Sequence, residues 1–276
     1  MGAPAQSFRL YWCGWVVMVR QMQVLALKAS GAAIKPIYVF GCRNSGTNYV
    51  NSPIMTNCGT SEGGSLYNAQ NKARLGWKHG FPMMLAAPRD VLAIAVHREP
   101  IAWLHSMNRT PWHAAKRLHN IAFSQFIRTE WVSIIDDEGF GISATDPLWH
   151  SELLSDRDPL TGLRFANAMQ LRNAKNRGFR TLDHRSDNVL RVNYETVLAD
   201  PEGFLDGVCT AYGLRRKRAF DPIVYDRGTP GRGLFQAKPV PQISEADLEL
   251  IRSELDLHQE NNLGYELPLR ARLYAA

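Results

Sequence analysis

The residues best suited to chemistry stand together as Gly41-Cys42-Arg43-Asn44-Ser45-Gly46-Thr47-Asn48. They follow a short apolar run, Ile37 to Phe40, whose branched and aromatic residues predict a buried strand, and they lead into a helix-like stretch from Asn48 to Met55. A strand, a G-x-x-x-x-G loop and a helix start form the context in which a loop binds phosphate. Glycines let consecutive backbone N–H groups turn inward toward an anion, and the helix N-terminus adds free donors and the positive end of its dipole. An ATP-binding loop of this type continues Gly-Lys-Ser/Thr, bringing a lysine to the γ-phosphate and a hydroxyl to magnesium. Here Gly46 is followed by Thr47-Asn48, and the basic residue is Arg43, inside the loop. An ordinary nucleoside triphosphatase is disfavoured on that ground. In isolation the spacing also fits a loop that merely turns a corner.

Four other segments carry candidate anion-binding or proton-transfer groups. In Val96-His97-Arg98-Glu99-Pro100, Arg98 leaves the end of a second apolar run, Val91 to Val96, and Pro100 suits the first position of a helix. Ser106 then stands about 9 Å up that helix, within reach of one phosphate shared with a long guanidinium. Taken alone, Arg98 reads first as a surface charge and Ser106 as an ordinary helix serine. A third apolar run, Val189 to Val192, ends in Asn193-Tyr194-Glu195 before a Pro201-led helix. Gly76-Trp77-Lys78-His79-Gly80-Phe81-Pro82 places an ammonium and an imidazole side by side, and Asp226-Arg227-Gly228-Thr229-Pro230-Gly231-Arg232-Gly233 sets two arginines among glycines.

In motif order, from residue 35 to about 235, these segments resemble the sulfotransferase family. That family's first loop reads Ser-Gly-Thr after a basic residue, and its sulfate donor is 3'-phosphoadenosine 5'-phosphosulfate (PAPS). The resemblance implies an α/β fold, a three-layer sandwich with a central parallel sheet of the P-loop nucleoside triphosphate hydrolase type. It implies that Arg43, Asn44, Ser45, Gly46, Thr47 and Asn48 hold the 5'-phosphosulfate, that Arg98 and Ser106 hold the 3'-phosphate, and that Tyr194 lies near the adenine. Arg227 and Gly228 match the glycine-rich loop that closes over the donor; a flexible surface turn is the equal alternative. Lys78 and His79 resemble the family's Lys-x-His-Leu-Pro segment, where the histidine is the catalytic base, but here they are adjacent and the register is shifted. The implied catalytic set is therefore His79, Arg43 and Lys78, with Glu62, His105 and His113 next in line as the base.

The expected reaction moves a sulfuryl group in line from PAPS to a hydroxyl or amine of a small-molecule or glycan acceptor, with no metal. By analogy with phosphoryl transfer, negative charge grows on the bridging oxygen and departing phosphate, where Arg43 and the loop amides would meet it. Two other classes stay open: a kinase or other phosphotransferase on the same fold, and a non-catalytic module that binds adenosine 3',5'-bisphosphate (PAP). Other chemistries lack their residues. His97, His105, His113 and His119 form no metal-ligand spacing. Ser45 is not in a G-x-S-x-G elbow. The aromatics Trp103, Trp112, Phe123, Phe126 and Trp131 have no basic stripe beside them to bind nucleic acid.

The elements that must position these groups alternate. Helix-like segments at Pro100–Met107, Gly162–Lys175, Pro201–Tyr212 and Ala246–Leu257 fall between or after the three apolar runs, which predicts a parallel sheet covered on both faces. Ser244 reads as the N-cap of the last helix. With 276 residues, 45% of them hydrophobic and 21% charged, the chain is globular rather than disordered or fibrous. The net charge of +6 suits an anionic ligand and falls short of a dedicated nucleic-acid binder. No linker or repeat divides the sequence, so a single domain over 1–276 is expected, with residues 1–30 a peripheral extension, an anchor or an overlong start. Four unpatterned cysteines and a Leu10–Val19 apolar run too short to span a bilayer predict a cytoplasmic protein.

Overall fold

The computed structural model describes residues 10–12, 15–17, 25–68, 75–84, 87–222 and 238–271. In chain order the elements are β1 (Leu10–Trp12), β2 (Trp15–Val17), β3 (Leu25–Lys28), β4 (Pro36–Gly41), α1 (Thr47–Asn57), β5 (Cys58–Gly59), β6 (Tyr67–Asn68), β7 (Leu92–His97) and α2 (Pro100–Arg109). A long irregular stretch holding α3 (Phe123–Phe126) follows. Then come α4 (Ala168–Arg180), α5 (Leu182–Arg185), β8 (Val189–Asn193), α6 (Tyr194–Ala199), α7 (Pro201–Tyr212), β9 (Arg215–Arg216), α8 (Glu245–Glu254) and α9 (Leu257–Asn262).

The three apolar runs become β4, β7 and β8, the centre of a sheet ordered β3-β8-β7-β4-β6. β8, β7, β4 and β6 are parallel, and β3 closes one edge antiparallel to β8. Every residue of β4 and β7 is buried, which is why neither run alternates with polar residues. Side chains of β4 instead divide between two cores. Ile37 and Val39 join Val50 and Ile54 of α1 and Phe204, Leu205 and Val208 of α7. Tyr38 and Phe40 join Trp103, Leu104 and Met107 of α2, several residues of α4, and Leu248 and Ile251 of α8. Each such side chain contributes roughly 1.5–3 kcal/mol on burial. The protein is thus α/β, with a central four-stranded parallel sheet flanked by helices and an architecture compatible with a three-layer sandwich.

β4 hands the chain through α1 toward β6 on one side, whereas β7 hands it through α2 toward β8 on the other. The loops after β4 and β7 therefore diverge from neighbouring strand ends, on opposite faces of the sheet. In open α/β sheets that divergence is where a crevice for ligands opens, outside the carboxyl ends of the strands.

Three boundaries differ from the sequence reading. The helix expected from Gly162 begins at Ala168, because the Asn167 side chain accepts the Gln170 N–H at 3.0 Å and starts it there. The helix expected over Ala246–Leu257 is two helices. Its Ser244 cap stands, but Leu255 turns extended and Asp256 caps α9 by accepting from the Gln259 N–H at 3.0 Å. The segment assigned to a peripheral extension reaches the sheet: β3 pairs Leu25 with Arg191 and Ala26 with Leu190. Among the described residues no helix is long and apolar enough to cross a membrane.

Candidate functional site

Both loop glycines are required by close approach. A Cβ on Gly41 would lie 2.4 Å from Ser45 Oγ and 2.8 Å from the Val96 carbonyl oxygen. Gly46 has φ +90°, and a Cβ there would meet the Tyr194 ring at 2.3 Å. Asn44 also takes a left-handed conformation, φ 60°. Its amide nitrogen holds that turn by donating to the carbonyls of Ser106 at 3.2 Å and Thr110 at 2.8 Å, which ties the loop to the last turn of α2. Because Gly46 occupies the N-cap of α1, the first turn has no side-chain cap, and the positive end of the helix faces the loop. Ser45 Oγ is buried and has no hydrogen-bond partner among the described residues.

Two cationic side chains border this loop. Lys78 Nζ donates to Asn48 Oδ1 at 2.9 Å, so an ammonium comes to the start of α1 from a different segment than in an ATP-binding loop. Arg98 donates from Nη1 to the Asn44 carbonyl at 2.9 Å and lies over the Tyr194 ring at 4.9 Å, while its Nε is buried without a partner. The Arg98 carbonyl accepts from Arg172, itself buried in a two-toothed ion pair with Glu260 at 2.6 and 2.7 Å. Glu99 positions the start of α2 by accepting the Ala102 N–H at 2.6 Å, with Pro100 at the first helical position as expected. A further cation, the exposed Arg109, lies three residues after Ser106 in the last turn of α2. Partial burial and the Arg98 guanidinium hold its pKa below the ordinary arginine value.

Asn44 of the loop and Arg98 and Ser106 of the second segment are thus brought together, Ser106 through its backbone carbonyl. Tyr194 begins α6 and packs against Gly46 and edge-on to Tyr49 at 5.3 Å, which makes it the wall that shapes the loop.

Arg43, expected to meet the donor's charge, also has partners behind the loop. Its guanidinium is buried and committed, donating to Asp156 at 2.6 Å and Ser133 at 2.7 Å between the rings of Trp77 and Trp131. Its Nε is buried without a hydrogen-bond partner among the described residues. Asp156 also bonds Lys175 and Ser133. Burial opposes the carboxylate, but Arg43 and Lys175 outweigh it and hold Asp156 down to about 2, while burial lowers the pKa of Lys175. The role of Arg43 is to fasten the loop to the segment following α2.

His79 donates from Nδ1–H to the Gly41 carbonyl at 2.8 Å, since a carbonyl can only accept. The Gly41 N–H in turn donates to the Lys78 carbonyl at 3.0 Å, so the Lys78-His79 segment lies beside the end of β4. Burial first, then the neighbouring Lys78 charge, push the His79 pKa well below the usual imidazole value. His79 is therefore neutral at pH 7, with its acceptor nitrogen at Nε2. Of the other bases considered, Glu62 pairs with Lys35 at 3.8 Å, and His105 stacks on Phe123 at 3.9 Å with burial holding it down to about 4.

The stretch between α2 and α4, unreadable by motif, supplies Ser133, Asp156 and Trp131 to the loop's anchor. It also supplies His113, whose Nδ1 pairs with Asp136 at 2.5 Å and whose ring lies edge-on to Trp77 at 5.6 Å. Trp77 makes the same kind of contact with His79 at 5.5 Å. Arg227 and Gly228 lie outside the described residues. Among the described residues, no group of three or more His, Cys, Asp and Glu side chains is placed to hold a metal ion.

No protein-family model matches the chain, and no curated protein is significantly similar to it.

Proposed function

We propose that the chain is a PAPS-dependent sulfotransferase on a P-loop-like α/β fold, acting on a hydroxyl or amine of a small-molecule or glycan acceptor in the cytoplasm. The observation that carries the reading is the meeting of Arg98, Asn44 and the backbone of Ser106 beside a glycine loop that lacks the Gly-Lys-Ser/Thr of ATP-binding proteins. A donor with two separate phosphate positions needs two anion sites, and this arrangement offers two. One is the loop with the α1 N-terminus and Lys78. The other is the Arg98, Ser106 and Arg109 corner on α2.

The residues present fit such a donor. Ser45 Oγ and Arg98 Nε are buried donors without partners, which costs stability unless a ligand accepts from them. PAPS would supply the activated sulfuryl group. Lys78 and the N–H groups at the start of α1 would stabilise charge on the departing phosphate, acting in a partly enclosed site where such donors need no reorganisation. Arg98 and Arg109 would select a nucleotide that carries a 3'-phosphate. Arg43, by fixing the loop from behind, would keep these donors in place.

The test is thermal denaturation of the full chain with PAP, adenosine 5'-phosphate and Mg-ATP at equal concentration. A ligand that binds only the folded state raises apparent stability with the logarithm of its concentration over Kd. PAP is expected to give the largest shift. An equal or larger shift with Mg-ATP would replace this reading with a phosphotransferase. PAP binding with no sulfate transfer to any acceptor in a panel of sugars, phenols, lipids and peptides would leave a PAP-binding module.

A further inference from the structure

We propose that His113, oriented by Asp136, is the general base that takes the proton of the acceptor, and that His79 is a positioning residue that holds the loop. The inference rests on the sulfuryl-transfer reading above and selects His113 over His79 and over Glu62 and His105, the other bases considered from the sequence.

The first ground is geometry. His113 Nδ1 and Asp136 Oδ1 are 2.5 Å apart. An ionised carboxylate only accepts, so the proton lies on Nδ1 and the acceptor lone pair on Nε2. A carboxylate behind an imidazole fixes its tautomer and stabilises the imidazolium that forms on proton transfer. The pair is neither surface-scattered nor sealed in the core: the side chains are 16% and 28% exposed, open to a substrate and to the water that must finally carry the proton away.

The second ground is backbone. His113 has φ 54°, a left-handed conformation that few residues with a side chain adopt. Its carbonyl accepts the Ile134 N–H at 3.0 Å, and Ala114 bridges to Ser133, so the turn is held by the strand-like segment that supplies Ser133 to Arg43. The dyad is consequently tied to the phosphate loop through the buried Arg43–Asp156–Ser133 cluster, with the Trp77 ring between His113 and His79.

The third ground is contrast. His79 has cations beside it, Lys78 and Arg43, and both resist a second proton on its ring. Its Nδ1–H donates to the neutral Gly41 carbonyl, which supports a newly formed imidazolium less than a carboxylate does. A proton arriving at His113 meets a carboxylate instead. In the proposed step the acceptor oxygen forms a bond to sulfur as the bond from sulfur to the bridging oxygen of PAPS breaks. That electron pair leaves on the 5'-phosphate of PAP, and the acceptor's proton passes to His113 Nε2 and then to solvent.

The test uses three variants of the full chain: His113→Asn and His113→Gly, both of which tolerate the left-handed backbone, and Asp136→Asn. PAP release from PAPS is followed with water, 4-methylphenol and 4-nitrophenol, the last already ionised in substantial part at neutral pH. With water and 4-methylphenol, His113→Asn should lose about 10²- to 10⁴-fold in rate, with a much smaller loss on 4-nitrophenol. Imidazole added to His113→Gly should restore part of the rate. In the ligand-free protein, long-range 15N–1H spectra should show His113 protonated at Nδ1, a signature that Asp136→Asn removes. Thermal shifts with PAP should match wild type in all three variants. Wild-type rates in His113→Asn with PAP binding intact would overturn the dyad and leave the donor site standing. Loss of the PAP shift in the wild-type protein itself would overturn the sulfuryl-transfer reading instead. A wild-type protein that binds PAP and turns over none of the three acceptors would remove the step the dyad is proposed to serve.

Discussion

The contact between Gly46 and Tyr194 makes the loop's shape measurable. In Gly46→Ala the new Cβ would stand 2.3 Å from the Tyr194 ring with the backbone at φ +90°. An L-residue in the left-handed region costs roughly 1–2 kcal/mol, and overpacking a tight contact adds roughly 1–3 kcal/mol. The expected destabilisation is therefore about 2–5 kcal/mol. Tyr194 is itself buried, so Tyr194→Ala should cost about 3–5 kcal/mol. If the ring and the glycine act on each other, the double variant loses less than the sum, with a coupling of about 1–3 kcal/mol, because only the φ strain remains once the ring is gone. Urea denaturation of the four proteins gives the cycle. PAP affinity should fall in Gly46→Ala, since the loop cannot keep its curvature. Single-variant effects that add within about 0.5 kcal/mol would show that Tyr194 does not shape the loop.

The buried ion cluster behind the loop should behave as a unit. Arg43→Met leaves Asp156 with Lys175 and Ser133 only, and breaking such a pair costs roughly 3–5 kcal/mol; an unchanged urea midpoint would refute the anchoring role. Acid stability should follow the buried imidazoles. Burial holds His97 down to about 3 and His105 down to about 4, so the unfolded chain binds protons there that the folded one does not. Their contribution is intact above roughly pH 6.5 and is lost as the pH falls toward 4 and 3. The urea midpoint should decline over that window in the wild type and decline less in His97→Asn, whereas identical slopes would place the proton uptake elsewhere.

Local features of the sequence carried most of the fold. Continuous branched runs could only be strands buried on both faces, and the caps at Pro100, Ser244 and Pro201 stand where their chemistry required. The break at Asp256 was also readable, since Asp followed three residues later by Gln is a cap signature that the Leu248-Ile251-Leu255 stripe concealed. In the candidate site, Asn44, Gly46 and Arg98 were legible because each lies within a few residues of a strand end, whereas Lys78, His79 and Ser106 were singled out by motif resemblance. Arg109 could have been found from its place one turn beyond Ser106. The orientation of Arg43 could not, because its partners Ser133 and Asp156 are 90 and 113 residues away and belong to a segment without periodicity. The His113–Asp136 pair was hidden for the same reason: it forms only when two irregular stretches cross.

The central claim, that the corner made by Arg98, Ser106 and Arg109 recognises a 3'-phosphate, is tested most directly by calorimetric titration of wild type and Arg98→Ala with PAP and with adenosine 5'-phosphate. The two ligands differ only in that phosphate. A charge-assisted hydrogen bond lost from a partly buried site costs roughly 1.5–3 kcal/mol, so Arg98→Ala should weaken PAP by about 10- to 150-fold. Adenosine 5'-phosphate, held by the loop alone, should change by less than about threefold, and the wild-type preference for PAP should collapse. Equal losses for both ligands would show that Arg98 serves the loop and not a second phosphate, and would contradict the two-site account.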